Sequence, residues 1–273
     1  MKLVTPPTPL PTRPAAAIRQ RRWRQSASYQ RYLDRRRANP SLRWSSFLSR
    51  AKQRSKVVSL TKDGFCALVQ LPCWYCGASP PLGATHGVDR WDNSVGYTAD
   101  NSVPCCATCN SMKYTHTEAR FLQQAARIVQ HELERHVVAG LSAPSSDAPS
   151  QSSTTLAQYR ARSAKKGLAF ELSPDDFRTL RSQPCAYCRA TAQIGIDRRD
   201  NTRGYTAANS FPACKNCNLM KKDFTYERFF THCWLMVRRS VARAAETSAR
   251  TRNQRTPADR KAAVVDQDGV DLH

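Results

Sequence analysis

Acidic residues are scarce in this sequence. Its 273 residues include 21 Asp and Glu against 43 Lys and Arg, which gives a formal net charge of +22 at pH 7. This imbalance predicts a polyanionic partner, with nucleic acid the usual one and an anionic membrane surface the weaker alternative. The sequence also lacks an apolar run long enough to span a membrane and a secretory signal at its N-terminus. We therefore expect an intracellular protein, although composition does not distinguish nucleus, organelle and the cytoplasm of a phage or virus host. Nothing in the sequence indicates a small-molecule substrate.

A duplicated segment organises the chain. Gly87–Lys113 aligns with Gly195–Lys221 without a gap, and 17 of the 27 positions are identical. Each copy carries two Cys-x-x-Cys pairs, and each pair directs both sulfurs toward one point, so that two pairs can close a tetrahedral zinc site. We predict two structural Zn²⁺ ions, held by Cys73, Cys76, Cys106 and Cys109 and by Cys185, Cys188, Cys214 and Cys217.

The remaining cysteines are interpreted as ordinary thiols. Cys105 precedes a predicted ligand but aligns with Ala213, and Cys66 and Cys233 have no counterpart in the other copy. Disulfides are the alternative for the eight paired cysteines, but an oxidising compartment is unsupported. Each repeat spans about 90 residues and is too small to build a large core. A zinc ion compensates, because its apparent binding energy of ~10–16 kcal/mol becomes folding energy.

Composition divides the chain into five segments. Residues 1–40 are Pro-rich and then Arg-rich, and three interpretations stay open: a disordered arm that binds phosphate, an organellar transit peptide, or a solvated helix. The first repeat is expected over 41–139 and the second over 155–245. A flexible linker at 140–154 and a disordered tail at 246–273 complete the chain.

Apolar spacing predicts a basic helix at the start of each repeat, from Ser41 and from Thr155. A short strand-like segment follows at 57–60 and at 169–172. The cations of these helices are expected to contact phosphate, or alternatively only to solvate one helix face. The cations chosen are Arg50, Lys52, Arg162 and Lys165.

The order of elements predicts the fold. Short helices capped by Thr61 and Ser173 precede the first cysteine pair of each repeat. A β-hairpin lies between the pairs, the second pair opens a helix, and Thr117 and Thr225 cap a long final helix. The expected fold is α+β, with two tandem treble-clef zinc units that each have N-terminal helices and a long C-terminal helix.

At these residues each copy resembles the HNH, or His-Me finger, nucleases in their four-cysteine zinc form. The family pattern is Val or Ile followed by Asp-His on the hairpin, an Asn in the next loop, and then Cys-x-x-Cys, His or Asn, and a Lys. The first copy has VDR at 88–90, Asn101 and CATCNSMK at 106–113. The second has IDR at 196–198, Asn209 and CKNCNLMK at 214–221. The resemblance extends over 41–139 and 155–245.

The resemblance implies roles for the recurrent residues. A catalytic Mg²⁺ or Mn²⁺ would be held by Asp89 with Asn110, and by Asp197 with Asn218. The loop geometry would be held by Asn101 and Asn209, and phosphate would be approached by Lys113 and Lys221. The resemblance also implies a nucleic-acid partner, with DNA favoured over RNA.

One position departs from the family. Arg90 and Arg198 replace the His that acts as general base, and an Arg cannot deprotonate water at neutral pH. It can clamp a phosphate or stabilise developing charge. Asp92 and Asp200 occupy equivalent positions of the two copies. They are candidates to replace the missing base, and turn capping is their alternative role. Two functions therefore stay open: a metal-dependent endonuclease, and a non-catalytic binding protein such as a component of a large ribonucleoprotein.

Overall fold

The computed structural model describes residues 26–137 and 149–254. Their fold is α+β, as predicted, with two two-stranded sheets. Within the described residues, no helix is both long and apolar enough to cross a membrane. The elements are α1 (Ala27–Ala38), α2 (Pro40–Gln53), α3 (Lys62–Leu68), β1 (Gly87–Arg90), β2 (Ser102–Cys105), α4 (Ala107–Lys113), α5 (Glu118–Val137), α6 (Leu156–Lys165), α7 (Pro174–Arg181), β3 (Ile194–Arg198), a 3₁₀ turn (Ala207–Asn209), β4 (Ser210–Cys214), α8 (Lys215–Lys221) and α9 (Tyr226–Gln254).

Contacts group these residues into two compact units. The first contains the described residues up to Pro72, with Ser79–Arg90 and Ser94–Pro104. The second contains Cys73–Ala78, Trp91–Asn93 and the described residues from Cys105 onward. All eight paired cysteines therefore lie in the second unit. That the two repeats are separate domains stays a prediction.

An aromatic core holds the first unit together. Phe47 of α2 packs on Phe65 of α3 with ring centroids 4.9 Å apart, and on Tyr97 with centroids 4.7 Å apart. Val88 of β1 joins the same buried cluster. Helix α3 begins where predicted, because the Thr61 hydroxyl accepts the N–H of the third residue of the helix.

The residue that ends the first helix of each repeat adopts a left-handed conformation. Ser55 follows α2 with φ of 50°, and Gly167 follows α6 at the equivalent position with φ of 65°. The left-handed region favours glycine because a Cβ atom approaches the following carbonyl there. Replacing Ser55 with glycine should therefore relieve strain.

We expect Ser55→Gly to raise the free energy of unfolding by about 1 kcal/mol, measured by urea unfolding of the zinc-loaded chain. The matched variant Gly167→Ser should lower it by a similar amount. No atom lies within 4 Å of a Cβ built on Gly167, so the change there acts on the backbone alone. Equal stability of all three proteins would contradict the explanation.

The second hairpin is antiparallel, with Asp197 opposite Phe211 and Arg198 opposite Ser210. Its Ile196 is buried against Tyr159 of α6 and Phe177 of α7. The Tyr159 hydroxyl accepts the Ile196 N–H at 2.9 Å. These contacts fix the strand that carries the recurrent Asp-Arg pair.

The long helices begin at threonines, as predicted. The Thr117 hydroxyl accepts the N–H of Arg120 at 3.4 Å, and the Thr225 hydroxyl accepts that of Arg228 at 3.3 Å. Helices α5 and α9 pack against each other within the second unit, and α4 and α8 are also neighbours. The two repeats therefore meet through the helices that follow their cysteine pairs.

The strand-like segments at 57–60 and 169–172 do not form strands. Each makes a single parallel bridge, Val58 to Tyr97 and Phe170 to Tyr205. The pairing stays short because each segment meets only the turn of its hairpin. A glycine allows this approach: a Cβ on Gly204 would lie 2.2 Å from the Ala169 carbonyl oxygen.

Regular structure is present in three segments outside the two predicted repeats. Residues Ala27–Ala38 of the predicted arm are helical, and residues 1–25 lie outside the described part. The predicted linker ends in a short pairing of Gln151 with Ile194, and 140–148 lie outside the described part. Helix α9 continues to Gln254, past the predicted end at 245, because residues 246–254 contain no Pro or Gly to stop it. Residues 255–273 also lie outside the described part.

Candidate metal centres and hairpin sites

The first cysteine cluster is built from a tight turn and a helix start. Cys73 and Cys76 lie on a turn closed by Gly77, whose N–H donates to the Cys73 carbonyl at 2.8 Å and whose φ is +74°. Cys106 caps α4, and its sulfur accepts the Cys109 N–H at 3.3 Å. These local bonds point the four sulfurs toward one centre.

The second cluster repeats this construction. The Arg189 N–H donates to the Cys185 carbonyl at 2.9 Å, and Arg189 adopts the left-handed conformation that Gly77 has in the first cluster. Cys214 caps α8, and its sulfur accepts the Cys217 N–H at 3.5 Å. The duplication in sequence is therefore a duplication of local geometry.

Both clusters fit a zinc ion. In each, the four sulfurs lie within 4.8 Å of one another. A tetrahedral site with Zn–S bonds of about 2.3 Å requires sulfurs about 3.8 Å apart. The Cys76 and Cys106 sulfurs are 3.8 Å apart, and those of Cys188 and Cys214 are 3.7 Å apart. All eleven cysteines lie in the described part, and none forms a disulfide.

Three cysteines lie outside the two four-sulfur groups. Cys66 is half-buried, whereas Cys105 and Cys233 are buried. Cys105 is also within hydrogen-bonding reach of Cys73, so it is the one additional thiol placed beside a cluster. Its neighbour Cys106, which the alignment favours as the ligand, belongs to the four-sulfur group.

Asp197 is buried in the second hairpin and already faces a cation. Its Oδ2 accepts the Tyr187 hydroxyl at 2.6 Å and lies 3.0 Å from the Lys221 ammonium. The Lys221 side chain is fully buried and also donates to the Arg198 carbonyl at 2.8 Å. Burial raises the pKa of Asp197, and the Lys221 charge opposes that shift. A divalent metal at this carboxylate would have to compete with the ammonium.

Arg198 closes the turn of the second hairpin. Its Nη1 donates to the carbonyls of Asn201 at 3.1 Å and of Arg203 at 2.9 Å. The guanidinium carbon also lies 5.2 Å from the centre of the Tyr205 ring. The side chain is therefore held in one place at the end of the strand.

Asn209 holds the loop on the other side. Its Nδ2 donates to the carbonyls of Gly204 at 2.8 Å and of Asp200 at 3.0 Å, and its Oδ1 accepts the Asp200 N–H at 2.9 Å. The Asp200 carboxylate accepts both the N–H and the hydroxyl of Thr202. The geometry of Asp200 is thus that of a turn cap.

The first hairpin shows the same Arg and Asn arrangement. Arg90 donates to the Val95 carbonyl at 2.9 Å, and its guanidinium carbon lies 5.3 Å from the Tyr97 ring centre. Asn101 donates to the Gly96 carbonyl at 2.9 Å. Two copies of one constellation indicate that the Arg is a fixed component of the hairpin in both repeats.

The other predicted site residues differ in exposure. Asp89 and Lys113 are buried, whereas Asn110 is exposed and Asn218 is half-buried. The cations selected on the basic helices are all exposed: Arg50 and Lys52 on α2, and Arg162 and Lys165 on α6. The structure therefore brings Asp197, Arg198 and Lys221 together at one hairpin and leaves the helix cations open to solvent.

Sequence reasoning missed the tyrosines of these sites. Tyr187 binds Asp197, and Tyr97 and Tyr205 lie under the two arginines. A usable signal was present, because each tyrosine recurs at the same position of the other repeat. Gln124 and His232, which contact cluster sulfurs, also occupy equivalent positions but differ in type.

Comparisons with known proteins give limited similarity. No family model matches the chain. It is 29% identical over 195 residues to an uncharacterised protein of Acanthamoeba polyphaga mimivirus, covering 70% of this chain and 36% of the viral protein. The chain thus spans about a third of that relative's length. Among solved structures, the rare-cutting HNH restriction endonuclease PacI is similar at 24% identity and a TM-score of 0.27, over 30% of this chain and 71% of that chain. The likeness to HNH nucleases depends on the residue pattern of the two repeats.

Proposed function

We propose that the chain is a zinc-stabilised protein that binds nucleic acid, with duplex DNA the favoured ligand. The observation that carries the proposal is the set of exposed cations on the first helix of both repeats, Arg50 and Lys52 on α2 and Arg162 and Lys165 on α6. Helices α2 and α6 contain no acidic residue, so their cations have no ion-pair partner within their own helix. With a formal net charge of +22, such surfaces attract a phosphate backbone.

Zinc would supply the rigidity that such a surface needs. In each repeat the four cysteines come from a turn that precedes the hairpin and from the helix that follows it, so bound zinc would hold that turn against that helix. In the second repeat the hairpin also packs on Tyr159 of cationic helix α6. The metal is therefore a structural element that positions phosphate-binding side chains.

We expect affinity for duplex DNA to fall with salt, at a slope of log K against log salt of roughly −5 to −7 for six to eight phosphate contacts. The variant with Arg50, Lys52, Arg162 and Lys165 all replaced by Gln should flatten the slope by about 3 to 4, because each phosphate contact contributes about 0.9. Fluorescence anisotropy at several salt concentrations would measure both slopes.

A control variant tests whether position matters as well as charge. Four exposed arginines of α5 and α9 are replaced by Gln in it: Arg120, Arg127, Arg228 and Arg238. It has the same net charge as the test variant, and its slope should stay near that of the original protein. Equal flattening in both variants would overturn the assignment of α2 and α6 as the contact surface. A structured RNA measured beside the duplex decides between the two nucleic acids.

Cleavage of the bound strand is a second candidate function. The recurrent Asp of strands β1 and β3 favours cleavage. Its carboxylate is suited to bind a metal, and the fixed Arg beside it is suited to bind a phosphate. In the second repeat Asp197 and Arg198 are adjacent and are both held by hydrogen bonds. The Lys221 ammonium beside Asp197 would have to give way to the metal.

A further inference from the structure

Each cysteine cluster receives a contact from the long helix of the other repeat. Gln124 of α5, in the first repeat, donates from Nε2 to the Cys217 sulfur at 3.1 Å. His232 of α9, in the second repeat, places Nε2 3.0 Å from the Cys109 sulfur. Both contacts lie within the second compact unit.

The two contacts are equivalent. Gln124 lies eighteen residues after Cys106, and His232 lies eighteen residues after Cys214. Each therefore projects from the same position of its helix toward the last cysteine of the other cluster. The Gln124 amide nitrogen carries N–H groups, and the His232 Nε2 carries one in its Nε2–H tautomer, so both residues can offer an N–H group to a sulfur.

Neighbouring contacts keep the helices in this arrangement. Lys222 donates to the Ser111 hydroxyl at 3.1 Å, which joins the ends of α8 and α4. Arg243 of α9 pairs with Glu118 of α5 at 2.7 Å, and Glu118 also accepts the Trp74 indole N–H at 2.7 Å. Trp74 lies between the first two cysteines of the first cluster. Helix α9 is therefore linked to that cluster twice, through His232 and through Arg243 with its partner Glu118.

We propose that Gln124 and His232 are positioning residues that retain zinc in the opposite repeat through an N–H···S hydrogen bond to a ligating thiolate. This inference depends on the proposed zinc sites. A hydrogen bond from an imidazole or amide N–H to an anionic sulfur stabilises the cysteine as a thiolate, which is its metal-binding form. Loss of such an outer partner typically costs 10–100-fold in metal affinity. Each zinc ion then holds its own repeat and depends on the helix of the other.

The test measures zinc release from the full-length protein to a chromogenic chelator. Peptide mapping of the cysteines alkylated during release assigns each event to a cluster. His232→Leu should speed release from the first cluster about 10–100-fold and leave the second near its original rate. Gln124→Met should speed release from the second cluster alone.

Rescue separates hydrogen bonding from packing or direct ligation. His232→Gln keeps an N–H donor of the kind present at Gln124, and it should restore slow release from the first cluster. If His232→Gln releases zinc as fast as His232→Leu, the donor role is wrong. Equal acceleration at both clusters in either single variant, or no acceleration, would also overturn the inference. Native mass spectrometry of the unaltered protein checks the underlying proposal separately, because a chain without two zinc ions removes the zinc sites themselves.

Discussion

Chelation of zinc is expected to unfold both repeats of this protein. The apparent binding energy of a structural zinc site, ~10–16 kcal/mol, equals or exceeds the net stability of a typical domain, ~5–15 kcal/mol. Each cluster also links a cysteine turn to the start of a helix, α4 in the first repeat and α8 in the second. Circular dichroism during titration with a strong chelator should therefore show loss of helix. Native mass spectrometry should find two zinc ions per chain before chelation and none after it.

Adjacent cysteines provide the control for this prediction. Cys106→Ala should remove one zinc ion, because Cys106 belongs to the four-sulfur group. Cys105→Ala should retain both, since the second repeat has Ala213 at that position. Retained helix after complete chelation would contradict the structural role of the metal. Loss of one zinc ion in Cys105→Ala alone would reassign the ligand.

The duplication made much of this fold predictable. A residue that occurs at the same position in both copies is expected to have the same structural role in both. This comparison distinguishes the eight paired cysteines from Cys66, Cys105 and Cys233, which do not recur. Capping residues such as Thr61 and Ser173 then located the helix starts, because their side chains satisfy N–H groups of the first turn. These predictions depend on interactions between residues a few positions apart, which can be identified from the sequence alone.

Contacts between distant segments were not predictable in the same way. Lys221 follows the family pattern of a residue near phosphate, yet its ammonium is buried against Asp197, 24 residues earlier in the chain. Gln124 and His232 contact the cysteine cluster of the opposite repeat because α5 and α9 pack together. No local sequence pattern predicts that packing. Comparison of the two repeats identifies the residues that recur in both. The structure adds the side chains of each repeat that contact the cysteine cluster of the other.

Cleavage, the second candidate function, should be limited by the residue that replaces the general base. An Arg cannot take a proton from water at neutral pH, whereas a positioned base is worth ~10²–10⁴-fold in rate. Arg198 is instead bound to the carbonyls of Asn201 and Arg203. We therefore expect Arg90→His combined with Arg198→His to raise plasmid cleavage with Mg²⁺ or Mn²⁺ by about 10²–10⁴-fold.

The recurrent aspartates supply the control for this rate increase. Asp89→Asn combined with Asp197→Asn, placed in the His variant, should abolish cleavage and leave DNA affinity nearly unchanged, because the carboxylates would hold the metal and not the duplex. Asn is chosen over Ala because it keeps a side-chain oxygen beside the buried Lys221 ammonium, which would otherwise lose its Asp197 partner and keep its bond to the Arg198 carbonyl. If neither the original protein nor the His variant cuts plasmid or structured RNA with either metal, the nuclease candidate is wrong. The two arginines would then serve to close their hairpins, as the carbonyl contacts of Arg90 and Arg198 already do.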